Sequence, residues 1–99
     1  MNATTHNYEM VLIAAPHLDD EGLAALNERV SGWITTAGGT LSGTNVWGRR
    51  QLAYAIGKYT EGTYVQFNFQ LDPSASRELD HSLRIEEQVV RHMVIRLDD

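Results

Sequence analysis

The stretch YVQFNFQL, Tyr64 to Leu71, alternates without a break: Val65, Phe67, Phe69 and Leu71 point one way, and Tyr64, Gln66, Asn68 and Gln70 the other. A period of two is the mark of a β-strand with one buried face. The second face is rich in amides rather than charges. The fold therefore has to bury one side of this strand while the other side stays polar and uncharged.

Upstream, Lys58-Tyr59-Thr60-Glu61-Gly62 reads as a hairpin connection. Before it, Thr40 to Ile56 reads as a long strand interrupted at Gly43 and Gly48, with Gly48 a suitable bulge position. Past Gly48, Leu52, Tyr54 and Ile56 share one side, and Arg49, Gln51, Ala53 and Ala55 the other. Parity assigns Tyr54 to the apolar, core-facing side. Downstream, Asp72-Pro73 supplies an N-cap and a proline at the first helical position, opening a short helix with Ala75, Leu79 and Leu83 facing inward. A last strand follows from about Gln88 to Leu97.

Toward the start, Tyr8 to Ala15 is apolar on both sides and ends at Pro16. That pattern suits a central strand covered on each face. Asp19-Asp20-Glu21 then opens an amphipathic helix carrying Leu23, Leu26, Val30, Ile34 and Ala37 at three- and four-residue spacings. Gly38-Gly39 stops it after about five turns of 3.6 residues each.

The order strand, helix, strand, strand, helix, strand predicts the α+β, ferredoxin-like split β-α-β arrangement (βαββαβ): a four-stranded antiparallel sheet with two helices on one face. Residues 1–99 are expected to form a single domain, with 1–7 flexible. The uncovered sheet face would carry Glu9, Val11, Ile13, Tyr64, Gln66 and Asn68. A partner docked there would account for a first strand that is apolar on both sides.

Composition narrows the function. No apolar run approaches the roughly 20 residues a bilayer span requires, and the first residues lack a signal-peptide layout, so a cytoplasmic protein with no membrane association is expected. There is no cysteine, hence no disulfide and no thiolate nucleophile or metal ligand. His6, His17, His81 and His92 are scattered, and Asp19-Asp20-Glu21 is explained by helix capping, so no metal and no cofactor is expected. No nucleophile elbow or phosphate-binding glycine loop is present, and no paired acid and base is visible, so neither an enzyme nor a small-molecule substrate is expected.

The net charge of -5 argues against nucleic-acid binding by bulk charge, yet seven of the eight basic residues are arginine. Arg49-Arg50 stands between Trp47 and Tyr54, and Arg84, Arg91 and Arg96 form a second cationic group near the end of the chain. Arginine beside exposed aromatic rings suits RNA backbone and unstacked bases. The same pair also suits an edge strand on which charge discourages sheet-to-sheet aggregation.

Gly48-Arg49-Arg50-Gln51-Leu52-Ala53-Tyr54-Ala55-Ile56 resembles the signature of the bacterial small-subunit ribosomal protein S6 family. Tyr8-Glu9, Leu83-Arg84 and Val89-Val90-Arg91-His92-Met93-Val94 resemble its opening strand and closing pattern, so the resemblance runs from about Tyr8 to Arg96. It implies a ferredoxin-like fold and a structural, non-enzymatic role in translation. It also implies that the chain binds the central domain of small-subunit ribosomal RNA, together with ribosomal protein S18, during assembly of the platform. By motif position, Arg49, Arg50, Tyr54, Arg84 and Arg91 become RNA- or partner-binding candidates, with Arg96 and Trp47 beside them. Ala55 replaces a usual proline, and the longer charged tail of many relatives is missing after Asp98-Asp99, so tail-dependent functions are not expected. The competing reading is a ferredoxin-like small-molecule or regulatory module that homodimerises through its open sheet face.

Overall fold

The computed structural model describes residues 5–97. Its elements are β1 (His6–Ala14), α1 (Asp20–Thr36), β2 (Thr40–Ile56), β3 (Tyr59–Leu71), a 3-10 turn (Pro73–Ala75), α2 (Ser76–Ile85) and β4 (Val89–Arg96). The strands form one antiparallel sheet in the order β2-β3-β1-β4. This is the ferredoxin-like arrangement the sequence predicts. The expected flexibility of residues 1–7 meets β1 beginning at His6, paired with Leu71, while residues 1–4, and Asp98-Asp99 at the other end, lie outside the described residues.

The alternation of β3 decides where the core sits. Val65, Phe67, Phe69 and Leu71 are buried, and the register sets them beside Leu12, Met10 and Tyr8 of β1. Leu26, Val30 and Ile34 of α1 and Leu79 and Leu83 of α2 close over this side. The α1 pattern places those three residues on one helical stripe. Asp19 caps α1 by accepting a hydrogen bond from the Gly22 amide at 2.7 Å. At the far end the Gly38 and Gly39 amides donate to the Thr35 and Ile34 carbonyls at 3.0 and 2.8 Å, which satisfies carbonyls the helix leaves open. Asp72 caps the next turn by accepting from the Ser74 amide at 2.9 Å.

The β2–β3 hairpin outruns its neighbours. β2 and β3 have 17 and 13 residues, β1 and β4 only 9 and 8. Pairing between β1 and β3 ends at Ala14 and Thr63, so the hairpin continues beyond the sheet proper. The connection is a tight turn at Gly57-Lys58 with Ile56 paired to Tyr59, not the five-residue link over Lys58–Gly62 that the sequence suggests. Tyr59 to Gly62 belong to β3.

Two glycines shape this hairpin. Gly48 has φ +104°, and the register slips between Val46 and Gly48, leaving Trp47 as the extra residue of a bulge. Gly62 lies against β1: a Cβ there would stand 3.0 Å from the Ala14 carbonyl oxygen and run into the Ile13 side chain. Gly62→Ala is accordingly expected to lower stability by about 1–3 kcal/mol through forced displacement of β1 or the hairpin. Thermal unfolding checks this, since about 1 kcal/mol moves the midpoint by roughly 4–8 °C in a domain of this size.

Candidate functional site

With both helices on one side, the other side of the sheet belongs to Glu9, Val11 and Ile13 of β1, Tyr64, Gln66 and Asn68 of β3, and Arg91, Met93 and Ile95 of β4. The register supports this, since Val11 pairs with both Gln66 and Met93, and Ile13 with both Tyr64 and Arg91. Paired residues of antiparallel strands share a face. This face is more closely built than a solvated surface. Ile13 is buried although it points away from the helices, because Gly62 and the curled hairpin cover it. The apolar second side of β1 therefore has a partly internal cause.

The hairpin brings its own residues over the same face. Tyr54 is 62% exposed, so the core-facing position that parity assigned to it is wrong. Leu52, Tyr54 and Ile56 do share a side, but beyond Arg50 that side curls over the open face rather than against the helices, and only Leu52 becomes buried. The Arg91 Nη1 donates to the Tyr54 hydroxyl at 2.9 Å, and its guanidinium lies 5.8 Å from the ring centroid. β2 and β4 are opposite edges of the sheet, so this one contact ties them together across it.

A second cluster adjoins it. The Trp47 and Tyr64 rings stack with centroids 6.2 Å apart and planes 4° from parallel. The Arg50 guanidinium lies 5.4 Å from the Trp47 ring and 5.9 Å from Tyr64. Trp47 Nε1 donates to Gln66 Oε1 at 3.1 Å, and Gln66 Nε2 donates to Asn68 Oδ1 at 3.0 Å. The Gly48 bulge is what turns Trp47 onto Tyr64, and the amides that stood out in β3 form a chain beside it.

The remaining candidates lie elsewhere. Arg49 points to the helix side, where it donates to the Pro16 carbonyl at 2.5 Å and approaches Glu61 at 3.7 Å. It fastens the loop after β1 to the hairpin. Arg84 lies on α2 with its Nε 2.9 Å from Asp80 Oδ2. Arg96 pairs in register with Tyr8, hence on the helix side as well. The late cationic group is thus divided: Arg91 joins Arg50 on the open face, and Arg84 and Arg96 do not.

Sequence reasoning missed two features. Met93, 56% exposed, and buried Leu52 line a shallow notch with Tyr54, Tyr64 and Arg91. The alternation of Arg91, Met93 and Ile95 carried a signal for Met93. The other is a buttress on the helix side, where His92 Nε2 lies 2.7 Å from Asp80 Oδ1. An ionised carboxylate only accepts, so the imidazole donates. This bond holds the Asp80 carboxyl below its ordinary 3.8, burial opposes it, and the Arg84 charge adds to the lowering.

The chain can then be set beside known proteins. A family model described as "Ribosomal protein S6" matches residues 7–96. The small ribosomal subunit protein bS6 of Clostridium botulinum (strain Hall) is 46% identical over 88 residues, which is 89% of this chain and 94% of the relative. The Clostridium acetobutylicum counterpart is 41% identical over 93 residues, 94% of this chain and 98% of its own. The crystal structure of 30S ribosomal protein S6 from Thermotoga maritima superimposes with a TM-score of 0.87 at 30% identity, covering 93% of this chain and 87% of that one. The C-terminal domain of the Mycobacterium tuberculosis MgtC protein, 10% identical with a TM-score of 0.66, shares the fold alone.

Because the folded Asp80 pKa is depressed, the stability it confers is complete above its ordinary 3.8 and is lost as pH falls from there through the lowered value. Asp80→Asn should therefore flatten the acid side of a plot of unfolding midpoint against pH. Midpoints measured across that range check it, and the effect should be small because the pair is partly exposed.

Proposed function

The chain belongs to the ribosomal protein S6 family of the small ribosomal subunit, and from that premise we propose that it acts as a structural, non-catalytic component of the subunit. It binds the central domain of small-subunit ribosomal RNA together with ribosomal protein S18 during assembly of the platform, in the cytoplasm. The observation that carries this reading is the open sheet face, where Arg50 and Arg91 rest on Trp47, Tyr64 and Tyr54. Aromatic rings, methionine and arginine are enriched at protein–protein interfaces, and arginine beside aromatic rings suits RNA backbone and unstacked bases.

The charge balance determines how the binding works. A chain of net charge -5 gains little from bulk attraction to phosphate, so its affinity for RNA alone is modest. S18 supplies much of the phosphate neutralisation, and the two proteins bind together more tightly than either alone. Arg50 and Arg91 contact RNA, while Glu9, Gln66 and Asn68 form the end of the face nearer the protein partner. Arg49 and Arg84 act mainly through the contacts they make within the fold.

Binding of the purified chain to a central-domain RNA fragment, with and without S18, tests the reading. Tight binding should require S18; equal binding in its absence, or a stable homodimer that never enters small subunits, would contradict it. The double variant Arg50→Ala/Arg91→Ala should change folding stability by no more than about 0.5 kcal/mol per exposed site. In the same assay it should weaken assembly by about tenfold or more, equivalent to ~1.4 kcal/mol.

A further inference from the structure

The notch on the open face encloses about 200 Å³. Its walls are Tyr54, Tyr64 and Arg91, and its floor is apolar, formed by Val11, Ile13, Leu52 and Met93. The Trp47–Tyr64 stack with Arg50 over it adjoins the Tyr64 wall. Among the described residues, Arg49 and Arg84 each have a carboxylate in ion-pairing range, whereas Arg50 and Arg91 have only aromatic rings and a tyrosine hydroxyl. In an acidic chain, two unneutralised guanidinium groups beside an apolar slot call for a ligand that is both flat and anionic.

We propose that this notch seats one unpaired nucleobase of a single-stranded RNA segment, with an adjoining phosphate held by the guanidinium groups of Arg91 and Arg50. The inference rests on the RNA-binding reading above and locates a base site within it. A base presents two apolar π-faces, which suit the tyrosine walls and the Met93 and Ile13 floor. Its phosphodiester brings the negative charge that an aliphatic side chain from a protein would lack. Guanidinium groups already lying on rings are pre-oriented, so holding them against a phosphate orders little that is not already ordered. The bare face of a four-stranded sheet is also where RNA-recognition domains stack bases on aromatic residues.

The site is held in place by the hairpin. Gly62 lets the hairpin close onto Ile13, and the Arg91–Tyr54 hydrogen bond sets the Tyr54 wall. The Gly48 bulge fixes Trp47 behind Tyr64. None of these elements belongs to the helix layer, and the exposed wall residue Tyr54 can be altered without touching the buried residues beneath it.

The test is a titration of the full chain with a short single-stranded RNA, a duplex of the same sequence, and inorganic polyphosphate, followed by amide chemical shifts and affinity. The single strand should shift Leu52, Tyr54, Tyr64, Arg91 and Met93, and polyphosphate should leave the floor residues Val11 and Ile13 unmoved. Tyr54→Ala, at an exposed position, should leave the chain cooperatively folded with only a small shift in its unfolding midpoint, and lower single-strand affinity by at least about fivefold, the smaller end of the effect of one stacked base. The notch is refuted if that variant binds as well as the parent, if the shifts fall around Arg84 and Arg96, or if S18 occupies the notch while RNA binds elsewhere. In each of those cases the RNA-binding role stands. A chain that fails to join central-domain RNA even with S18 present would instead overturn the role itself.

Discussion

Two helices cannot cover both faces of a four-stranded sheet, and the rest of this structure follows from that constraint. α1 and α2 close over Met10, Leu12, Phe67 and Phe69, the largest fully buried side chains of the fold. The opposite face has no helix, so its residues must tolerate water or acquire some other cover. Amides in β3, a glutamate in β1 and an arginine in β4 tolerate it. At Ile13 the chain provides cover by bending its own hairpin over the sheet.

That bend links local backbone chemistry to the surface. A bulge at Gly48 and a close approach at Gly62 let the long β2–β3 ribbon coil, and sheet twist favours the same sense of coiling. The result joins the two edge strands through Tyr54 and Arg91, residues 37 positions apart in the chain. It also blunts β2 as an edge, since its register slips at three places and a regular partner strand cannot follow it. One physical device therefore protects an edge, covers Ile13 and builds a concave site.

Much of the fold is legible in the sequence, because the periods that specify it are local. The alternation of Tyr64 to Leu71, the stripe of Leu26, Val30 and Ile34, and the caps at Asp19 and Asp72 each determine an element by nearest-neighbour chemistry. The site is legible only in part. Parity says that Leu52, Tyr54 and Ile56 share a side, but it cannot say what lies against that side once the hairpin has left the helices behind. For that reason parity alone points Tyr54 to the core, while the folded chain leaves it exposed. Counting arginines fails similarly: Arg84, Arg91 and Arg96 are near one another in sequence, yet a helix and the alternation of β4 send them to different faces. The Asp80–His92 contact joins α2 to β4 and has no local signature at all.

For this member of the ribosomal protein S6 family we propose that the chain works through its open face, with the hairpin as part of that face. The most direct measurement is side-chain oxidation footprinting of the chain, free and within assembled small subunits. The account predicts that Trp47, Tyr54, Tyr64 and Met93 become protected on assembly, while Tyr59 at the hairpin turn and Trp33 on α1 keep their free-state reactivity. Protection confined to the helix layer, with Tyr54 and Met93 as reactive in the subunit as in the free chain, would contradict it.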